Sequence, residues 1–366
     1  MTALTVRRRR FACCAVLVLG AALGACTPPP ARKEAAPARA LVWPAPPETA
    51  RFTYETQLRS AADIERPPTP EEALRKRLTG ETAAEPRAAF EKISAVAARF
   101  GRVYVTDTVM RRVIVFDVPR RRLFHFGLRA PGRLEKPMAV AVDANRNVYV
   151  ADAGRRLVVV YDDFGLYLRT VGETSGLIRP TGVAVSDDGE RIYVVDRAHN
   201  ESDQHRVLVF DKNGRQLREL GRRGSGPGEF NVPVQAAVAP DGKLYVLDSG
   251  NFRVQVFDAE GKHLRSFGSS GDTAGSFARP RGIAVDRANR VYVSDGFFGN
   301  FQVFDPRGEL LLAIGRQSAE DEPGRYGLIA GLSVDETGRV YVADQLFNKI
   351  EVIRPAAAGR AARERQ

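Results

Sequence analysis

Six pentapeptides of one pattern recur along this 366-residue chain. VYVTD, VYVAD, IYVVD, LYVLD, VYVSD and VYVAD end at Asp107, Asp152, Asp196, Asp248, Asp295 and Asp344, at intervals of 45, 44, 52, 47 and 49 residues. Each alternates apolar β-formers and closes on a turn residue, as a strand does. About ten residues later comes a second strand: VIVFD, VVVYD, VLVFD, VQVFD, FQVFD and, without the Asp, IEVI. An apolar strand and polar turn usually precede the pentapeptide, as in RGIAVDRANR (281–290). A turn and a further strand ending in Gly follow the FD, as in AEGKHLRSFG. Four short antiparallel strands at this period describe one propeller blade per repeat. A helical solenoid would need apolar residues at three- and four-residue spacing. Separate four-stranded domains would each bury too little. The expected fold class is all-β, a six-bladed β-propeller of four-stranded antiparallel blades.

A strand count says how the ring closes. Five repeats finish a fourth strand at Gly127, Gly172, Gly221, Gly268 and Gly315; the sixth runs into RPAAAGRAARERQ, which is no strand. RFTYETQL, near the N-terminus, alternates large and polar side chains and is one strand spare. Residues 51–58 are therefore expected to form the outer strand of the last blade, leaving no split edge. The propeller then spans 42–354. Residues 66–90 make a helical and loop excursion, in which PTPEEALRKRLTGE reads as a short helix from Pro70 to a stop at Gly80. Residues 355–366 read as a disordered basic tail.

Repetition separates framework from residues free to be specific. The six aspartates are read as strand ends that cap their turns, not as a ring of metal ligands. Arg112, Arg156, Arg206, Arg253 and Lys349, just before the third strands, are expected to pair with them, and Phe301 takes that place in blade five. In the usual propeller order the loop after YV.D and the loop between blades share one face, where a rigid scaffold presents its variable residues. The inter-blade loops bring Arg222, Arg223, Arg279 and Arg281 to that face, with further arginines and a lysine beside them. DGFFGNFQVFD (295–305) adds Phe297, Phe298 and Phe301, aromatics outside the repeat pattern that suit a partner or a sugar ring. These seven residues form the expected partner-binding set. GRRGSGPGEF lacks the terminal Lys-Ser or Lys-Thr of a phosphate loop, so its glycines are assigned to a tight crossing between blades. The longest loop, DRAHNESDQHR (196–206), holds His199, Asp203 and His205, but His125 and His263 fall in outer strands. No metal site and no cofactor is expected.

The N-terminus reads as an export signal: RRRR (7–10), an apolar run of about twelve residues, then LGAC (23–26). The run is short for a membrane span, which needs about twenty residues. LGAC resembles the lipobox of bacterial lipoproteins, which implies a signal peptide over 1–25 and lipidation of Cys26. With Thr27 rather than Asp after the cysteine, the resemblance points to the outer membrane and a cell-envelope location facing the periplasm. Residues 26–41, rich in Pro, Ala and charge, read as a tether. All three cysteines, Cys13, Cys14 and Cys26, lie in this region, so the body can form no disulfide. Removing 1–25 takes away four arginines and no acids, and the formal charge falls from +11 to +7. A basic envelope protein favours an anionic partner, a protein or an acidic glycan; nucleic acid belongs to another compartment.

LYVLDSGNFRVQVFD (244–258) and RPRGIAVDRANRVYVSD (279–295) resemble NHL repeats, and the likeness extends over roughly residues 91–353. Together with LGAC, the chain resembles the six-bladed propeller lipoproteins of Gram-negative bacteria. The fold serves binding, sensing and catalysis alike, and the reading favoured here is a non-enzymatic, membrane-tethered, monomeric binding or scaffold propeller that presents its basic loop face to a partner. The alternative is a metal-dependent lyase or lactonase working at the channel mouth, since some lyases of this fold bind zinc through histidines drawn from several blades.

Overall fold

The middle strands carry the pentapeptides and are buried along almost their whole length, because each is covered on both faces by neighbouring blades. They belong to six antiparallel sheets in a computed structural model that describes residues 41–66, 69–79 and 89–356. The sheets stand in a ring about a central channel. Blade one is Ile93–Arg99, Arg102–Asp107, Arg112–Asp117 and Arg122–Phe126, ordered from the channel outwards. Blades two to five repeat this order, with inner strands Pro137–Val142, Pro180–Val185, Pro233–Val238 and Pro280–Val285; the inner strand of blade six is Ile329–Val334. Apolar clusters fill the spaces between adjacent blades. The turns between inner and middle strands lie at what we call the lower face. There the hydroxyls of Tyr149, Tyr292 and Tyr341 each donate to a turn carboxylate, Asp143, Asp286 and Asp335, at 3.0 Å. Burial, then the Asp143 carboxylate, pushes the Tyr149 phenol up to about 12.

The ring closes where the strand count places it. Phe52–Leu58 pairs antiparallel with Lys349–Pro355, from Phe52 opposite Pro355 to Leu58 opposite Ile350. A fifth short strand, Val42–Trp43, adds outside it. Blade six extends slightly past the expected boundary: Pro355 is in the strand, and the Ala356 N–H donates to the Arg51 carbonyl. The excursion contains one helix, Pro70–Leu78, whose Thr69 cap accepts from the Glu72 N–H while the Glu72 carboxylate accepts from the Thr69 N–H. The expected signal peptide, lipidated cysteine, tether and most of the basic tail lie outside the described residues.

The six aspartates are framework, and they do more than cap turns. Each is wholly buried. Asp295 accepts from the N–H groups of Ala278 and Arg279 in the preceding inter-blade loop and of Phe297 and Phe298 in its own turn. Asp107, Asp152 and Asp344 bind the same four positions. One carboxylate therefore ties both loop sets of the upper face together, a structural use that leaves no lone pair for a metal.

Their expected ion pairs form in two blades of five. Arg206 reaches Asp196 at 3.3 Å and Arg253 reaches Asp248 at 2.9 Å. Arg112 instead donates to the Met110 sulfur. Arg156 is a left-handed turn residue, and Leu157 stands opposite Asp152. Lys349 turns to Glu351 at 2.7 Å and Asp321 at 3.0 Å.

Candidate functional site: the arginine-lined mouth of the channel

Every inner strand breaks register after its first residue, as at Pro280/Gly282 in blade five. A bulge leaves one residue unpaired and re-aims its side chain. The six bulge residues are Ser94, Met138, Thr181, Val234, Arg281 and Ala330, and all six line a cavity of about 110 Å³ at the upper mouth of the channel. Five are small or apolar. Only blade five presents a charge. Its inner strand can sit so deep because Gly282 faces Gly331: a Cβ there would meet the Gly331 Cα at 2.8 Å.

Arg197, just past Asp196 in blade three, lines the same cavity. The Nε atoms of Arg197 and Arg281 are both buried without a hydrogen-bond partner. Arg197 makes one bond, to the Asn200 side-chain oxygen at 3.0 Å; the Arg281 guanidinium has no hydrogen bond or ion pair among the described residues. Burial, then Arg279, then Arg197, holds Arg281 below the ordinary arginine value, and burial followed by Arg179 does the same to Arg197. Both remain charged at neutral pH. Arg179 and Arg279 occupy one repeat position, directly before the inner strand, where blades one and two carry Lys92 and Lys136. Glu91 and Glu135 stand beside those lysines, so the uncompensated charge lies over blades three to five.

The sequence-predicted residues separate on inspection. Phe297 is 61% exposed and stacks edge-on against half-buried Phe298, ring centroids 5.3 Å apart. This loop borders the mouth, for the Arg281 Cγ passes close over Gly296. Phe301 is a correction: it is wholly buried between blades five and six against Tyr292 and Ile314, and offers nothing to a partner. Asn300, not Phe301, stands opposite Asp295 where blades one, three, four and six place a base. Counting five residues on from the Asp would have found this. Arg279 is exposed at the rim. Arg223 is exposed too, with its N–H tied to the Asp203 carbonyl. Arg222 is exposed but paired with Glu229 at 2.9 Å, so its charge is largely matched. Arg197, the second half-buried base, was missed; its signal is the lone Arg after a YV.D aspartate.

Equivalent positions give the upper face an apolar arc. Two residues past the Asp, blades five, six and one present Phe297, Leu346 and Val109, all more than half exposed. Blades two, three and four present Gly154, Ala198 and Gly250 there. The face is thus apolar on one side of the mouth and basic on the other.

The glycine-rich inter-blade loops are structural crossings, as expected. Gly221, Gly268 and Gly315 are left-handed, and a Cβ on any of them would strike the buried ring of Phe230, Phe277 or Tyr326 at 2.3–2.5 Å. His205 is likewise structural: its Nδ1 accepts from the Val232 N–H, and its Nε2 faces the His199 carbonyl. Among the described residues no cluster of three or more His, Cys, Asp or Glu is placed to hold a metal. A larger cavity of about 580 Å³ opens at the lower mouth, walled by Val and Ala and rimmed by Arg99, Asp187, Arg287 and Glu336. An Arg99–Asp187 ion pair crosses its edge.

Residues 176–238 match a six-bladed β-propeller family, DUF5128, and residues 230–257 and 277–304 match NHL repeats. Among solved structures the chain is similar to a protein of unknown function from Bacteroides thetaiotaomicron, with a TM-score of 0.57 and 20% identity over 74% of this chain and 70% of that one. It is similar to a gluconolactonase of Xanthomonas campestris (TM-score 0.54, 21% identity, 73% of this chain and 88% of that one). It is also similar to virginiamycin B lyase from Staphylococcus aureus (TM-score 0.52, 11% identity, 72% and 95%). At these identities the likeness is one of fold, which hosts unrelated functions.

Proposed function

The chain is a six-bladed propeller carrying NHL repeats, and we propose that it is a non-catalytic binding module whose upper face takes an anionic protein or glycan. The observation that carries this reading is the juxtaposition of exposed Phe297, Leu346 and Val109 with Arg281 and Arg197, which make no ion pair among the described residues. Exposed charge speeds encounter and gives salt dependence, whereas aromatic contact area slows dissociation. Affinity capture from envelope extracts should yield a partner that a Phe297→Ala, Phe298→Ala double variant releases at least tenfold faster, as a hot-spot pair would. Arg222→Ala with Arg223→Ala should weaken capture mainly at low salt, and mostly through Arg223. A partner held equally by all three proteins would place the site elsewhere.

The same reading puts the propeller at the outer membrane, facing the periplasm and held through acylated Cys26. Acyl chains contribute roughly 0.8 kcal/mol per buried methylene, so a multiply acylated terminus holds firmly. Cys26→Ser should shift the protein out of the membrane fraction or stall its maturation. Unchanged partition, with no acyl group on the wild type by mass spectrometry, would remove the anchor from the proposal.

The lower cavity favours a second reading, a lyase or lactonase working there. Its volume suits a small substrate. Metal content of the purified protein, and hydrolysis of a lactone panel, separate the two readings.

A further inference from the structure

We infer that the upper mouth of the channel is a binding site for a tetrahedral oxyanion, phosphate or sulfate, held between Arg281 and Arg197. This deepens the binding reading of the same face, since it names the group by which a partner would engage. The two guanidiniums line one small cavity from blades five and three, with Val234 of the bulge ring between them and the Thr181 hydroxyl on its wall. At about 110 Å³ the space equals a few waters of roughly 30 Å³ each. It admits a phosphate-sized group.

Charge selects the ligand. Like-charged guanidiniums sharing a partly buried site raise each other's energy, and here Arg179 and Arg279 add to the field. The Arg281 guanidinium, alone of the two, has no acceptor among the described residues. The one fully buried arginine among the described residues is satisfied: Arg102 pairs with Asp117 at 2.9 Å and with Asp163 at 2.9 Å. A dianion neutralises two cations, and a tetrahedral oxyanion offers acceptors to two planar forks at once, where a carboxylate matches only one. The bulge is the device that aims Arg281. In the other five blades the same bulge presents Ser, Met, Thr, Val or Ala, so the ring of six contains a single anion receptor.

Inorganic phosphate and sulfate are the probes, titrated at low ionic strength into the mature chain from residue 26, followed by calorimetry and thermal melting. Phosphate should bind with one-site stoichiometry and raise the melting temperature, with chloride and acetate at matched ionic strength doing neither. Arg281→Gln should weaken phosphate at least tenfold. In anion-free buffer the same variant should melt no lower than wild type, because it removes an unpaired, half-buried charge. Arg197→Gln should weaken phosphate as well and carries the test if the first variant folds poorly; Arg287→Gln, at the lower mouth, should leave it unchanged. Equal phosphate response in wild type and Arg281→Gln, or no response beyond that of chloride, overturns the site. A phosphate monoester binding as phosphate does, while a phosphodiester fails, would mark a terminal phosphate; the reverse would mark a headgroup-like diester. Phosphate binding with no partner captured would sink the partner reading and leave this site standing. Capture with no phosphate binding would do the opposite.

Discussion

Deleting the chain up to Leu58 is expected to abolish its cooperative melting transition. The segment supplies the outer strand of blade six, and it buries Phe52 and Leu58 to 3% exposure each. Removing a buried Phe costs about 3–5 kcal/mol and a buried Leu about 2–5 kcal/mol. The lost ladder adds about 1 kcal/mol for each hydrogen bond. Arg339 loses Glu55 at 2.7 Å. The total, on the order of 10 kcal/mol, matches the whole stability of an ordinary domain. Deleting only Thr27–Ala40, a stretch whose sequence has no apolar periodicity, should leave the melting curve unchanged. Circular dichroism on the two truncations decides it: if both melt like the full mature chain, the ring does not depend on its N-terminal strand.

Lys349→Met should cost about 3–5 kcal/mol, the cost of stranding one member of a buried ion pair. Lys349 and Glu351 are both wholly buried, and the lysine also donates to the carbonyls of Glu322 and Arg325. Blade four solves the same problem with other residues. There Arg253 donates to the carbonyls of Gly226 and Glu229, and the Gln255 side-chain oxygen accepts from the Gly228 N–H, as Glu351 does from the Gly324 N–H. Lys349→Arg combined with Glu351→Gln rebuilds blade four in blade six and should recover most of the stability that Lys349→Met loses. Burial already raises the Glu351 carboxyl above the ordinary range, against the opposing pull of Lys349. Without the lysine it rises further. A raised carboxyl makes the folded state bind the extra proton, so the deficit of Lys349→Met should shrink as pH falls through the variant's raised value and level off once pH is below the wild type's own raised value. Denaturant titrations of variant and wild type across that window measure it. A pH-independent difference, or a double variant no better than the single, would show that the pair is not the cause.

The repeat made the architecture legible because a period near 45 with two-residue alternation has few folded solutions, and the missing sixth outer strand could be counted. The closing strand fell at Phe52–Leu58 for that reason. Charge and loop position also located the upper face, with Arg279, Arg281 and Phe297 on it. Phe301 was misplaced by one residue, and a one-residue shift in a strand exchanges surface for core. The ion pairs of Arg112, Arg156 and Lys349 were misassigned because a partner is chosen by side-chain reach across the fold, not by nearness in the repeat.

The sequence by itself determined the number of blades, their order and the way the ring closes, since each depends on apolar periodicity that is local to the chain. Only the tertiary structure decided which bases lack an acid. Arg222, conspicuous in the sequence, is matched by Glu229 seven residues on. Arg281 and Arg197 are 84 residues apart and meet over one cavity, because a bulge in the inner strand of blade five turns Arg281 towards the axis and the turn after the middle strand of blade three brings Arg197 to the same mouth. Electrostatic energy depends on separation in space and on burial, and a linear sequence records neither.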